Sequence, residues 1–151
     1  MPRSELPGGT RGPVRLSLVL PLLPESFLDP GILARCRRVL ESAGFEIEIV
    51  LVGPATALDA ISPGQPQPSD MGEPVLIPCD VDDWSELARA GMWSSTGDYL
   101  LVLDVERHYS PDSLLSVLGP VLAGRAELAV AVPSRPGSLE GLGLRPIRAA
   151  L

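Results

Sequence analysis

The segment that most constrains the fold is 97–106, in which a glycine leads into a short apolar run that ends in carboxylates. The apolar run, 99–103, is too short to span a membrane and is typical of a buried parallel strand with helices on both faces. Asp104 follows the run directly and Glu106 comes two residues later. Both are therefore predicted at the carboxyl end of a strand, where open α/β sheets bind ligands. In an extended segment, this spacing places both side chains on one side, where they can share a divalent cation.

Apolar runs alternate with capped helical patterns along the rest of the chain. Asp29 followed by Pro30 predicts the start of a helix, and Gly44 predicts its end. Asp83 and Glu86 form a capping pair that predicts the start of a later helix. The predicted strands are residues 14–20, 45–52, 75–77, 99–103 and 128–132. This alternation predicts an α/β fold, a three-layer sandwich with a mainly parallel, Rossmann-like sheet.

The length of 151 residues predicts a single domain. The Pro-rich segment 53–74 holds at most a short helix near 56–61, and its middle is predicted to be a flexible surface loop. A further helix is predicted to start at 110–112, where Ser-Pro-Asp resembles a helix start. Residues 1–12 are rich in Pro and Gly and predict a flexible N-terminal arm. The single domain is therefore expected to cover 13–151.

The charge and the composition narrow the possible partners. A net charge of −7 argues against a nucleic-acid-binding surface, and a bound diphosphate would need a metal ion or arginines to offset repulsion. All twelve basic residues are arginine, and lysine and asparagine are absent, which suggests a GC-rich, bacterial genome. Two cysteines are too few for a disulfide framework. No segment approaches the ~20 apolar residues of a membrane-spanning helix, and the apolar stretch near the N-terminus lacks a signal-peptide cleavage site. We therefore expect a cytoplasmic protein without a membrane span.

The order of these pieces resembles the nucleotide-sugar-binding half of family 2 glycosyltransferases, especially the polyprenyl-phosphate (dolichol-phosphate) mannosyltransferase branch. That family opens with a strand ending in Pro, two further residues and Asn-Glu; residues 21–25 here read Pro-Leu-Leu-Pro-Glu. The family then has a helical Gly, Gly-Asp, an apolar strand, Asp-x-Asp and Pro. This chain has Gly91, the segment 97–106 and Pro111 in the same order. Segment 133–145 also resembles the family's region after its next strand, so the resemblance covers most of the chain.

The resemblance implies a GT-A fold and a set of ligands. The implied donor is a nucleoside-diphosphate sugar, and the implied acceptor is a polyprenyl phosphate or another acceptor. Pro21, Glu25 and Asp104 are implied to contact the donor. Asp104 and Glu106 are implied to bind Mg²⁺ or Mn²⁺ against the donor diphosphate, with His108 as a further candidate ligand. The resemblance identifies no catalytic residue in this chain.

The chain also departs from the family, which it resembles in a divergent and truncated form. The family's second strand ends in acidic residues that hold the nucleotide, whereas residues 51–56 here contain no carboxylate. The Asp-x-Asp pattern has become Asp104-x-Glu106, and the chain stops where the family continues into acceptor-binding and catalytic segments. Two functions therefore stay open: a metal-dependent glycosyltransferase, or an inactive relative that acts as a nucleotide-binding or protein-interaction module. A response-regulator receiver is disfavoured because it needs an acidic pair after the first strand and a late lysine.

Overall fold

In the computed structural model, which describes residues 12–61, 72–107 and 110–129, strands and helices alternate from Val14 onwards. The strands are β1 (Val14–Pro21), β2 (Phe45–Gly53), β3 (Val75–Pro78) and β4 (Tyr99–Val102). The helices are α1 (Pro30–Ser42), α2 (Ala55–Asp59), α3 (Trp84–Ser94) and α4 (Ser113–Leu122). The first four predicted strands are therefore confirmed to within about one residue at each end, well inside the usual uncertainty of such boundaries.

The strands of the described residues form one sheet in the order β3-β2-β1-β4, and each neighbouring pair is parallel. The chain moves outward from β1 to β2 and β3, and then crosses to the other side of β1 to form β4. The direction of winding therefore reverses between β1 and β4, which is the switch point where open α/β sheets bind ligands. The predicted α/β sandwich with a parallel, Rossmann-like sheet is confirmed.

Apolar side chains fill both faces of this sheet because successive residues of a strand point to opposite sides. On one face, Val19, Val50 and Val52 form a buried cluster with Leu87 of α3. Helix α3 approaches so closely that a Cβ on Gly91 would lie 2.7 Å from Val52 Cγ2 and closer still to Val19. The opposite face carries fully buried leucines of β1 and β2, and α1, which contacts β2, contributes further buried side chains. These residues are Leu16, Leu18, Leu51, Leu33, Cys36 and Leu40.

The helix ends follow the capping residues that the sequence predicts. Asp29 Oδ1 accepts a hydrogen bond from Gly31 N over 2.8 Å, and Pro30 is the first residue of α1. Gly44 follows α1 with a φ of 94°, a left-handed conformation that glycine adopts without strain. Asp83 Oδ1 accepts from Glu86 N over 3.0 Å at the start of α3. Helix α3 therefore begins where the capping pair predicts.

The chain divides into two compact units, Met1–Leu114 and Leu115–Leu151. The first contains all four strands, α1, α2 and α3, and the second begins within α4, where Leu118 is buried. The predicted strand 128–132 lies largely outside the described residues; its first two positions have no strand pairing, and Leu128 is exposed. Most of the predicted arm 1–12 and the middle of the Pro-rich segment, residues 62–71, also lie outside them, whereas the short helix predicted near 56–61 is present as α2. Among the described residues, no helix has the length and apolar character needed to cross a membrane.

Candidate functional site

The candidate site lies where β1 and β4 end side by side. Leu103 N donates to Val19 O over 3.0 Å, which continues the pairing of the two strands just beyond β4. The next residue, Asp104, therefore leaves the sheet at the switch point. On the neighbouring strand, Leu23 N donates to Ser26 Oγ over 2.9 Å in a turn that holds Glu25 exposed. The fold thus places Asp104 and the turn that carries Glu25 at the carboxyl ends of adjacent strands.

Asp104 closes a local turn instead of continuing the strand. Its Oδ1 accepts a hydrogen bond from Glu106 N over 3.1 Å, and its Oδ2 accepts one from Arg107 Nε over 3.3 Å. The side chain of Asp104 is 29% exposed, and that of Glu106 is more exposed still. The sequence argument that extended backbone places Asp104 and Glu106 on one side was wrong, because the backbone turns at Val105 and Glu106. Residues 104–107 are called the 104–107 turn below.

The other predicted site residues have different environments. Pro21 is the last residue of β1 and is buried, and the sheet pairing continues past it, where Leu22 N donates to Val52 O over 2.7 Å. Pro21 therefore contributes a buried, apolar side chain at the carboxyl edge of the sheet and has no polar side-chain group for a ligand. Glu25 is exposed, and it is absent from the ion pairs that the described residues form. His108 lies outside the described residues.

The end of β2 is tightly packed at Gly53 and carries no acidic residue. Gly53 is packed so tightly that a Cβ would lie 2.6 Å from the carbonyl oxygen of Leu22. Its own carbonyl accepts a hydrogen bond from Cys79 N over 2.8 Å, and Pro54 after it is buried. A carboxylate at position 53 would therefore collide with the end of β1, and this part of the edge is apolar.

The chemistry of the 104–107 turn suits a magnesium or manganese ion only in part. Carboxylate oxygens are the ligands these ions prefer, and Mg²⁺ is commonly held by one or two carboxylates together with substrate phosphates. Within the described residues, no group of three or more acidic, histidine or cysteine side chains is arranged to hold a metal. Asp104 and Glu106 therefore fit a site that phosphate oxygens of a ligand complete, and they do not form a self-contained metal cage.

A second polar group, which the sequence argument did not identify, lies toward the amino ends of the strands. Its members, Arg15, Ser17, Glu48 and Thr96, form what we call the amino-edge network. Glu48 accepts from Ser17 Oγ over 2.5 Å and from both Thr96 N and Thr96 Oγ1 over 2.9 Å. Arg15 donates to Thr96 Oγ1 over 3.1 Å. The one available signal was Ser17, a polar residue inside an apolar strand, which is completely buried.

Electrostatics distinguish Glu48 from an ordinary surface carboxylate. Burial by itself would raise the pKa of Glu48, but the hydrogen bonds from Ser17 and Thr96 and the charge of Arg15 outweigh it and lower the pKa. The pKa of Arg15 is raised, chiefly by its hydrogen bond to Glu46 and the charge of that carboxylate, with smaller contributions from Glu48 and Asp98. The network therefore holds a carboxylate in its charged form and gives it no role as a proton carrier near neutral pH.

The two cysteines lie in different environments, Cys36 buried and Cys79 partly exposed. Both Cys36 and Cys79 are free thiols. Burial raises the pKa of Cys36, which keeps the thiol protonated and poorly nucleophilic. Cys36 is therefore best understood as part of the core.

No protein-family model matches this chain, and a search of curated proteins finds no significant match. The resemblance to family 2 glycosyltransferases therefore stays a prediction from the motifs. The shared fold does not decide the function, because one α/β architecture serves many chemistries and the function depends on the site.

Proposed function

We propose that this chain is a glycosyltransferase-like domain that binds a nucleoside-diphosphate sugar between the ends of β1 and β4, with Mg²⁺ or Mn²⁺ at Asp104 and Glu106. The observation that supports the proposal most is the position of Asp104. It follows β4 at the switch point of a parallel sheet, beside the end of β1. Ligands of open α/β sheets bind at such points, and the Asp-x-Glu pattern is the chain's counterpart of the family's metal-binding motif.

Charge explains why a metal ion belongs in the proposal. The chain carries a net charge of −7, so a diphosphate approaching Asp104 and Glu106 would be repelled without a cation. When bound, the ion would neutralise the negative charge that develops on the leaving nucleotide. Asp104 and Glu106 would hold that ion, and His108 is a further candidate ligand.

The remaining contacts follow from the neighbouring strand. Pro21 ends β1 beneath the site, and the exposed carboxylate of Glu25 can accept hydrogen bonds from the hydroxyl groups of a bound nucleoside. The acceptor in this proposal is a polyprenyl phosphate or another acceptor, reached from the cytoplasm. The residue that would remove the acceptor's proton is unassigned.

A second candidate function is a catalytically inactive relative that binds a nucleotide weakly or contacts another protein. It is favoured by the tight packing at Gly53, which excludes the acidic nucleotide anchor of the family. Loss of a charged hydrogen bond costs about 1.5–3 kcal/mol, or roughly ten- to a hundredfold in affinity. We therefore expect weak, metal-dependent nucleotide binding and slow or absent sugar transfer by this chain alone.

Calorimetric titration with UDP and GDP, with and without Mn²⁺, tests the proposal. We expect weak binding that Mn²⁺ strengthens, and in the presence of Mn²⁺ the affinity should fall roughly tenfold or more in Asp104→Asn. Asp59→Asn removes one negative charge from an exposed position on α2 and serves as the matched control, with unchanged affinity. Failure of the wild-type chain to bind either nucleotide would rule the proposal out. Rapid transfer of sugar to a polyprenyl phosphate would instead rule out the inactive alternative.

A further inference from the structure

Arg107 occupies the 104–107 turn in a way that the family resemblance does not anticipate. Its Nε donates to Asp104 Oδ2 over 3.3 Å, and its side chain is 38% exposed. Within the described residues, this is the one hydrogen bond of its guanidinium group. A guanidinium has five N–H donors, so the four donors of the terminal amino groups stay available to a ligand.

The available donors match the chemistry expected at this edge. The planar fork of a guanidinium group binds phosphate oxygens in pairs, which a lysine ammonium cannot do. Arg107 stands three residues after Asp104, in the turn that leaves the switch point. It thus places a permanent positive charge where an otherwise acidic protein would meet a diphosphate.

We infer that Arg107 is a built-in cation of this edge: it neutralises Asp104 in the metal-free protein and binds a phosphate of the nucleoside diphosphate. This inference rests on the proposed function and adds a phosphate-binding residue to it. Arg107 and a divalent cation then compete for the same carboxylate oxygen, Asp104 Oδ2. On metal binding, Arg107 exchanges its carboxylate partner for phosphate, so the turn changes its pairing without any change to the sheet.

The test compares Arg107→Gln with Arg89→Gln. Arg89 is an exposed arginine on α3, so its substitution changes the net charge by the same amount away from the switch point. Two ligands are titrated separately into each variant and the wild type. The first ligand is Mn²⁺ alone, and its binding is measured from the electron paramagnetic resonance signal of the free ion. The second ligand is UDP in the presence of EDTA, and its binding is measured by calorimetry.

The inference predicts opposite changes for the two ligands. Arg107→Gln removes the competitor for Asp104 and should raise the affinity for Mn²⁺ by roughly two- to fivefold, the range expected for a partly exposed ion pair. The same variant should weaken metal-free UDP binding by roughly tenfold, because a charged hydrogen bond to phosphate is lost. Arg89→Gln should match the wild type in both titrations.

The outcomes separate this inference from the proposed function. If the wild type binds UDP with Mn²⁺ but Arg107→Gln and Arg89→Gln bind metal-free UDP equally well, the inference fails and the proposed function stands. If no variant binds UDP under any condition, the proposed function fails and the phosphate role of Arg107 fails with it. An unchanged Mn²⁺ affinity in Arg107→Gln also overturns the inference, because it shows that the two cations do not compete.

Discussion

The two edges of the sheet use charged residues in opposite ways. In the amino-edge network, the hydrogen bonds of Glu48 and Arg15 join residues that are 31 to 81 positions apart in the chain. In the 104–107 turn, the bonds of Asp104 to Glu106 and Arg107 span two and three positions. Charges that join distant segments hold a fold together, whereas charges within one turn can change partners without unfolding anything. We therefore expect the amino edge to stabilise the fold and the carboxyl edge to bind the proposed ligand.

The packing around each edge supports the same division. At the amino edge, Gly97 N donates to the buried hydroxyl of Ser17 over 2.8 Å, and the same hydroxyl donates to Glu48, so both of these contacts of Ser17 are made within the fold. The 104–107 turn instead follows a strand at the switch point, and its side chains stay partly exposed. Binding residues are commonly carried by such loops and positioned by a rigid scaffold.

The largest expected effect is on the amino edge, from Gly97→Ala. The added Cβ would lie 2.6 Å from both the N and the Oγ of Ser17, and backbone atoms cannot yield cheaply. We expect the free energy of unfolding in urea to fall by about 1–3 kcal/mol. Gly119→Ala is the control, since its Cβ meets no atom within 4 Å and alanine favours a helix. Equal stability of the two variants would contradict the close packing at Gly97.

The next effect is expected from Glu48→Gln, which keeps the shape of the side chain but removes its charge. Hydrogen bonds to charged groups contribute about 1.5–3 kcal/mol, and we expect a loss of unfolding free energy near the lower end because Glu48 is only partly buried. Glu46→Gln is the matched control. Glu46 pairs with Arg15 on the exposed surface, where ion pairs contribute at most about 1 kcal/mol. A control that destabilises as much as Glu48→Gln would show that the network has no special role.

The effect of Glu48 should also depend on pH in a defined direction. Its pKa is lower in the folded chain than the ordinary glutamate pKa of about 4.3. Its contribution to stability is therefore fully present above the pKa of the unfolded chain and is lost as the pH falls through the folded pKa. Urea unfolding from pH 7 to pH 3 should show a constant stability gap between the wild type and Glu48→Gln above about pH 5. A gap that widens on acidification would contradict this account.

The smallest effect on stability is expected at the carboxyl edge, from Asp104→Asn. The variant weakens a partly exposed ion pair within one turn, so the free energy of unfolding should change by less than about 1 kcal/mol. Thermal unfolding of Asp104→Asn beside Glu48→Gln measures the contrast directly. A loss at Asp104 as large as that at Glu48 would mean that Asp104 belongs to the structural framework.

Much of the fold could be predicted from the sequence because its signals are local. Asp29, Asp83 and Gly44 act on helix ends within a few residues of themselves, and they cap α1 and α3 as predicted. The apolar run after Gly97 gave β4 with an error of one residue at its end. Capping residues and apolar periodicity are therefore the sequence signals from which the strands and helices could be predicted.

The side-chain arrangement at both edges could not be predicted in the same way. The amino-edge network joins Ser17 to Thr96 through Glu48, and no local pattern records a contact between strands that distant in sequence. At the carboxyl edge, the backbone after the strand was expected to stay extended through Glu106, whereas Asp104 accepts a hydrogen bond from the backbone N–H of Glu106 in a turn. Short polar side chains such as Asp compete for backbone hydrogen bonds in this way and end strands early.

The most direct test of the division between the edges is an amide chemical-shift titration of the ¹⁵N-labelled chain with UDP and Mg²⁺. We expect shifts for Gly53, for Leu22, Leu23 and Glu25 and for the 104–107 turn, while the amides of Ser17, Glu48 and Thr96 stay unchanged. Shifts that concentrate on the amino-edge network, or saturating UDP that moves no amide of the 104–107 turn, would contradict it.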